Sequence, residues 1–177
     1  MKTIKIKTTD FDELRNLQCG NQILLSGIVH TARDAAHKRI MQMIENNEQL
    51  PFEIKNSIIY YAGATPTKPG HAVGSIGPTT SSRMDIFTPV LIQKGLIATI
   101  GKGGRNSDVV NACKVYKSLY FCAIGGAGAL AAKSIESCET VAFDDLGCES
   151  IKKVIFKDFP LILAIDSNGN DLFSRNK

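Results

Sequence analysis

Apolar positions in this chain follow two rhythms, one of two residues and one of about four. Alternation of Ile4 and Ile6 with lysines marks Lys2 to Lys7 as a short strand. Apolar runs of strand length follow at Ile23 to Val29, Ile58 to Tyr61, Leu96 to Ile100 and Leu119 to Ile124. Three more, Val141 to Phe143, Val154 to Phe156 and Leu161 to Ile165, lie near the C-terminus. Between them the rhythm turns helical. Ala36, Ile40 and Ile44 recur every four residues within a helix from Ala32 to about Asn47. Further helices are expected after Asp10 (with Glu13 placed for a capping box), from Ser82 to Lys94 and from Val109 to Lys117. Gly125-Gly126-Ala127-Gly128 opens an alanine-rich helix, and Asp166 to Gly169 reads as the turn of a closing hairpin. Strands alternating with helices indicate an α/β domain with at least partly parallel pairing.

Composition narrows the class. At 177 residues the chain fits one domain, 1–177. The net charge of +4 is spread along it, and no basic tract interleaves with aromatics, so nucleic acid is not an expected partner. No apolar run approaches the roughly 20 residues of a membrane span. The first ten residues lack an apolar signal core, so a cytoplasmic location is expected. The five cysteines, Cys19, Cys113, Cys122, Cys138 and Cys148, show no C-x-x-C spacing and are odd in number. They read as buried small apolar side chains, and no metal site is expected in this chain.

The stretch richest in chemistry is Gly74 to Asp85, GSIGPTTSSRMD. Glycines and a proline shape a turn, Thr79 to Ser82 supply hydroxyls, and Ser82 with Asp85 resembles a capping box. A helix N-terminus with Arg83 beside it suits a carboxylate or phosphate; a well-capped surface helix explains the same residues equally well. Arg33 and Asp34 open the helix from Ala32. The acid suits the dipole and the cation opposes it, so Arg33 is a candidate ligand group or a solvated side chain. His37 reads as a core-edge or surface histidine. The long loop Gly63 to Gly77 carries Lys68 and His71. Lys102 stands among glycines just past a strand end, where α/β sheets hold ligands, and an exposed lysine in a turn is the alternative. The glycines at 125–128 form no complete phosphate fingerprint and suit close helix–sheet packing.

Four segments together carry a family resemblance: LLSGIVHTARDAAHKR, YYAGATPTKPGHAVGSIGPTTSSRMD, GLIATIGKG, and FCAIGGAGAL running on to AFDDLG and AIDSNG. They resemble the beta-type part of the iron–sulfur hydro-lyases, the class I fumarate hydratases and L-tartrate dehydratases. The resemblance implies a swivelling β/β/α domain with a mixed sheet. It implies reversible loss of water from a small 2-hydroxy dicarboxylate, fumarate hydration first and L-tartrate dehydration second. It also implies a [4Fe–4S] cluster carried by a partner alpha subunit, in an assembly of two alpha and two beta chains. By motif position Arg33, Thr79, Thr80, Arg83 and Lys102 would bind substrate. Thr79 is the implied base, with Lys102 as the other catalytic candidate. The chain departs from the single-chain fumarases after Lys102, where it reads GGRN, and in a spacing from Arg83 to Lys102 one residue shorter. A stand-alone anion- or nucleotide-binding module is the reading from a different class.

Overall fold

The computed structural model describes residues 3–65, 74–123 and 128–174, without the side chains of 128–130. In chain order its elements are β1 (Ile4–Lys7), α1 (Phe11–Asn16), β2 (Gln22–Thr31), α2 (Asp34–Glu45), β3 (Ile58–Tyr60), a 3-10 turn (Ser81–Met84), α3 (Thr88–Gln93), β4 (Ala98–Gly101), α4 (Ser107–Tyr116), β5 (Leu119–Cys122), α5 (Gly128–Lys133), β6 (Ile135–Ala142), a second 3-10 segment (Asp144–Glu149) and β7 (Ile151–Ile165).

Side-chain alternation along the strands sorts the core into layers. Ile58 and Tyr60 join one apolar cluster with Leu25, Val29, Ile100, Leu119, Phe121 and Leu163. Their neighbours Ile59 and Tyr61 face the other way, onto Ala36, Ile40, Met84 and Leu91 of the helical layer. A third cluster packs α4 through Val109, Ala112 and Cys113 against Tyr120, Ala164 and Ile165. The sheet has seven strands in the order β1-β2-β3-β4-β5-β7-β6. Neighbours from β1 to β5 pair in parallel. β7 runs antiparallel to β5, β6 and also β2. Pairing therefore closes a circuit, β2-β3-β4-β5-β7 and back to β2, with β1 and β6 outside it. The mixed α/β class expected from the sequence is the one observed.

Several local expectations are corrected. The two strands expected at Val154 to Phe156 and Leu161 to Ile165 are one strand, β7. The interval between them is a bulge: register against β2 shifts between Leu25 and Gly27, and Asp158 takes a positive φ of 52°. The helix expected over Ser82 to Lys94 is split into the 3-10 turn and α3. Pro89, in the first turn of α3, cannot continue a helix from Ser82, because its ring would meet the carbonyl four residues back. Neither capping box forms. The Asp10 carboxylate accepts from Lys7 N instead of capping α1, and Asp85 is drawn into a buried ion pair. The strand expected at Val141 to Phe143 is the end of the longer β6. Of the cysteines only Cys113 is buried, and Cys148 is exposed, because its 3-10 segment lies on the surface. Lys68, His71 and Gly125 to Ala127 lie outside the described residues.

Gly27 sits opposite the bulge at φ +126°, and an added Cβ would overlap Thr8 Oγ1. Both the backbone and the close approach require glycine here. Gly27→Ala should destabilise the domain by about 1–3 kcal/mol. Urea unfolding checks this, and an unchanged midpoint would contradict it.

Candidate active site

In a parallel sheet, residues just past the C-terminal strand ends gather along one edge. Arg33 follows β2 and caps α2, Gly63 follows β3, and Lys102 follows β4. The 78–80 segment runs across this edge in extended form. Pro78 bridges to Ala62, and Thr80 bridges in parallel to Lys102. Thr79 donates both its N–H and its hydroxyl to the Tyr61 carbonyl, each at 2.8 Å. Ser81 N donates to the Lys102 carbonyl at 3.0 Å. The fold thus brings Thr79, Thr80 and Lys102 into one backbone network.

The two remaining candidates meet through acids. Arg83 donates from Nε and Nη2 to the two oxygens of Asp34, at 3.0 and 3.3 Å. Burial acts to raise the Asp34 pKa, but hydrogen bonds and charge from Arg83, with the charge of Arg33, hold it below the usual carboxylate value. Arg33 Nε lies 3.8 Å from Glu149 Oε1, and both atoms are buried without a hydrogen-bond partner among the described residues. Glu149 comes from the surface 3-10 segment, which Arg39 holds to α2 through a two-pronged pair with Asp145, at 2.8 and 2.7 Å. Gly63 lies beneath Arg33, where an added Cβ would come within 3.1 Å of Nη1 and of the Cys148 carbonyl. Thr79 is half-buried, and Thr80, Arg83 and Lys102 are exposed.

Under this edge lies a residue that the sequence reading did not single out. The Arg105 side chain is wholly buried. Its Nε donates to Asp85 at 2.5 Å, Nη1 to Thr99 Oγ1 at 3.2 Å, and Nη2 to Thr88 Oγ1 at 2.7 Å and the Tyr61 hydroxyl at 3.3 Å. The rings of Tyr61 and Tyr120 lie 5.3 and 4.8 Å from its guanidinium carbon. The second Asp85 oxygen accepts from Asn106 N at 2.7 Å. Burial acts to lower the Arg105 pKa, but Tyr61 and Asp85 outweigh it and the group stays charged. Tyr120 extends the network, donating to the Gly103 carbonyl at 2.7 Å and lying 2.9 Å from Ser81 Oγ. The turn bearing Arg83 and the loop bearing Lys102 are therefore tied to one buried cation. The only sequence signal was the departure GGRN itself.

His37 is fully buried, which corrects the surface or core-edge reading. It follows Ala36 on the helix face that packs on Tyr61 and Phe87. Its Nδ1 donates to the Arg33 carbonyl at 2.8 Å, fixing the turn from which Arg33 and Asp34 project. Burial pushes its pKa down to about 4, against smaller opposing effects of that bond and of Asp34. Among the described residues no group of three or more His, Cys, Asp or Glu side chains gathers to hold a metal, and no helix is long and apolar enough to cross a membrane.

Comparison with known proteins gives this geometry a context. The sequence profile of the Fumarase C-terminus family matches residues 1–176. Fumarate hydratase 2 of Leishmania major is 40% identical over 165 residues, which cover 92% of this chain and 29% of that protein. The putative L(+)-tartrate dehydratase subunit beta of Methanocaldococcus jannaschii is 38% identical over 167 residues, covering 91% of this chain and 86% of the relative. The L(+)-tartrate dehydratase subunit beta of Escherichia coli K12 is 35% identical, with 100% and 89% covered. The chain thus spans about three tenths of the fumarate hydratases it matches and most of the beta subunits.

Two stability predictions follow from the buried groups. Arg105→Met leaves Asp85 buried without its cation and should cost about 3–5 kcal/mol, measured by urea unfolding. His37 binds a proton less readily in the folded chain than its ordinary value of 6.5 implies for the unfolded one. Its contribution is complete above pH 6.5 and is lost as pH falls from there through about 4. Over that window the loss amounts to about 3 kcal/mol. His37→Gln should remove about 1.4 kcal/mol per pH unit from the slope of stability against pH. An unchanged slope between pH 6.5 and 4.5 would contradict the assignment.

Proposed function

The chain belongs to the Fumarase C-terminus family, and on that premise we propose that it is the beta subunit of an iron–sulfur hydro-lyase acting on a small 2-hydroxy dicarboxylate. Reversible hydration of fumarate to L-malate is the first reading. The observation that carries it is the convergence of Arg33, Arg83 and Lys102 with Thr79 and Thr80 at one edge of the sheet. A desolvated dicarboxylate needs paired cations and donors, and this edge supplies both. Dehydration of L-tartrate is the second reading. It is favoured by one observation, that the chain matches tartrate dehydratase beta subunits over most of their length.

The side chains of this subunit would divide the work. Arg83 and Arg33 bind substrate carboxylate through charge-assisted hydrogen bonds. Thr80 donates a further hydrogen bond, and Lys102 adds a point charge beside it. Thr79 already donates its hydroxyl proton to the Tyr61 carbonyl, so its lone pairs are what it offers a ligand. A hydroxyl engaged in this way is held in its protonated form, so in this reading Thr79 acts as a base only as the alkoxide, after the Tyr61 bond is given up and with nearby cations lowering the hydroxyl pKa. Among the described residues the cysteines form no group of three or more that would fit a cluster. In this reading an alpha-type partner carries the [4Fe–4S] cluster, which supplies Lewis acidity toward the leaving hydroxide. The assembly holds two chains of each kind in the cytoplasm, and substrate lies between them.

Co-expression with a cysteine-containing partner encoded nearby, anaerobic reconstitution and parallel assays of malate, fumarate and tartrate test the proposal. Turnover of malate and fumarate is expected only with the partner present, and turnover of tartrate alone would favour the second reading. Hydro-lyase turnover by this chain without a partner would sink the two-subunit account. Thr79→Val should lower kcat about 100-fold or more, with KM changed only a few-fold. Unchanged exchange of the C3 proton with solvent in that variant would move the base elsewhere.

A further inference from the structure

Three arginines near this edge are held in three different ways. Arg105 spends its donors inside the protein on Asp85, Thr99, Thr88 and Tyr61, and is structural. Arg33 faces Glu149 at 3.8 Å, too far for a hydrogen bond, and its buried Nε is left unpartnered among the described residues. Arg83 is intermediate. One edge of its fork, Nε and Nη2, is engaged by both oxygens of Asp34, and neither Asp34 nor Arg83 is buried.

We propose that Asp34 is a positioning residue, which clamps one edge of the Arg83 fork so that the opposite edge is presented, already oriented, to a substrate carboxylate. The inference rests on the reading of this site as a dicarboxylate pocket. A guanidinium has five N–H donors, and the clamp takes only two. The rest, both on Nη1 and the second on Nη2, stay available. An unclamped arginine at this exposure would keep its rotamer freedom and lose it on binding, a cost that the clamp settles beforehand.

The base of the clamp is rigid. Asp34 is the first residue of α2, whose inner face is locked by Ala36, His37 and Ile40. It directly follows Arg33, whose carbonyl is pinned by His37. Two substrate-facing arginines are therefore referred to one helical turn. Electrostatics point the same way. Asp34 and Glu149 offset the charges of Arg33 and Arg83, so recognition at this end depends on aimed donors more than on net positive charge.

A competing role is equally concrete: Asp34 could occupy Arg83 as a substrate mimic, to be displaced on binding. The two roles predict opposite signs. In the assembled two-chain enzyme, Asp34→Ala, Arg83→Gln and the double variant would be compared. Positioning predicts that Asp34→Ala raises KM at least tenfold, and that adding it to Arg83→Gln changes KM less than twofold. A KM that is unchanged or lowered in Asp34→Ala, or two effects that multiply independently, would overturn the proposal. A merely structural role would lower the melting temperature and leave the KM of the folded enzyme alone.

A readout without turnover completes the test. In the full chain labelled with 15N-arginine, the Nε–H signal lost in Arg83→Gln should be protected from solvent exchange. It should move when succinate is added, and Asp34→Ala should abolish the protection and shift the midpoint of the succinate response at least tenfold higher. A succinate midpoint unchanged in Asp34→Ala would overturn the clamp. If the wild-type complex turns over none of malate, fumarate or tartrate, the hydro-lyase reading fails, while the succinate titration still decides whether Asp34 positions Arg83.

Discussion

A permanently charged guanidinium with no access to water has to be neutralised and hydrogen-bonded where it lies, and Arg105 draws the candidate site together in meeting that requirement. Its partners come from separate places in the chain: Asp85 and Thr88 from the turn into α3, Thr99 from β4, Tyr61 from the end of β3. Three of these partners are tied to residues of the rim. Asp85 is two residues from Arg83, Thr99 is three from Lys102, and Tyr61 supplies the carbonyl on which Thr79 rests. A shift in one would unsatisfy a buried group, so the outer residues inherit their positions from the inner network.

The second constraint is the parallel sheet itself. Strands β2, β3 and β4 point the same way, so the segments that follow them emerge along one edge. The closing pair of β7 with β2 and β5 leaves the inner face filled by apolar side chains. Polar chemistry is thereby confined to the rim, where backbone groups leaving the strands can be paired by a crossing segment. The 78–80 stretch does that between Ala62 and Lys102.

The acids at the rim give the site its character. Cations gathered along one edge repel one another. Here Asp34 and Glu149 relieve that repulsion at differing strength, tight on Arg83 and loose on Arg33. Exposed ion pairs add little to stability, so the Asp34–Arg83 pair matters more for where it holds a fork than for folding energy. The buried Arg105–Asp85 pair is the reverse case.

Much of this was legible in the sequence, because local rules govern it. Alternation gave β1, apolar runs of strand length gave β2 to β5, and the four-residue beat of Ala36, Ile40 and Ile44 gave α2. The motif GPTTSSRMD with TARD and IGKG gave the family and the five rim residues. Where local rules erred, a distant partner outbid a near one. Asp85 sits where a capping box would use it, but Arg105, 20 residues on, is the stronger claimant for its carboxylate. Asp10 turned to Lys7 N, and the interval at Lys157 and Asp158 became a bulge because β2 had to be matched on both sides of Ser26. Nothing near Glu149 in sequence indicates that it faces Arg33, since a 3-10 segment anchored by Arg39 and Asp145 carries it there. The sequence by itself determined which elements form and which residue types reach the rim, because backbone propensity and apolar period act over a few positions. Only the tertiary structure decided which charge meets which, because that depends on closing the sheet and on the cost of leaving any buried charge unpaired.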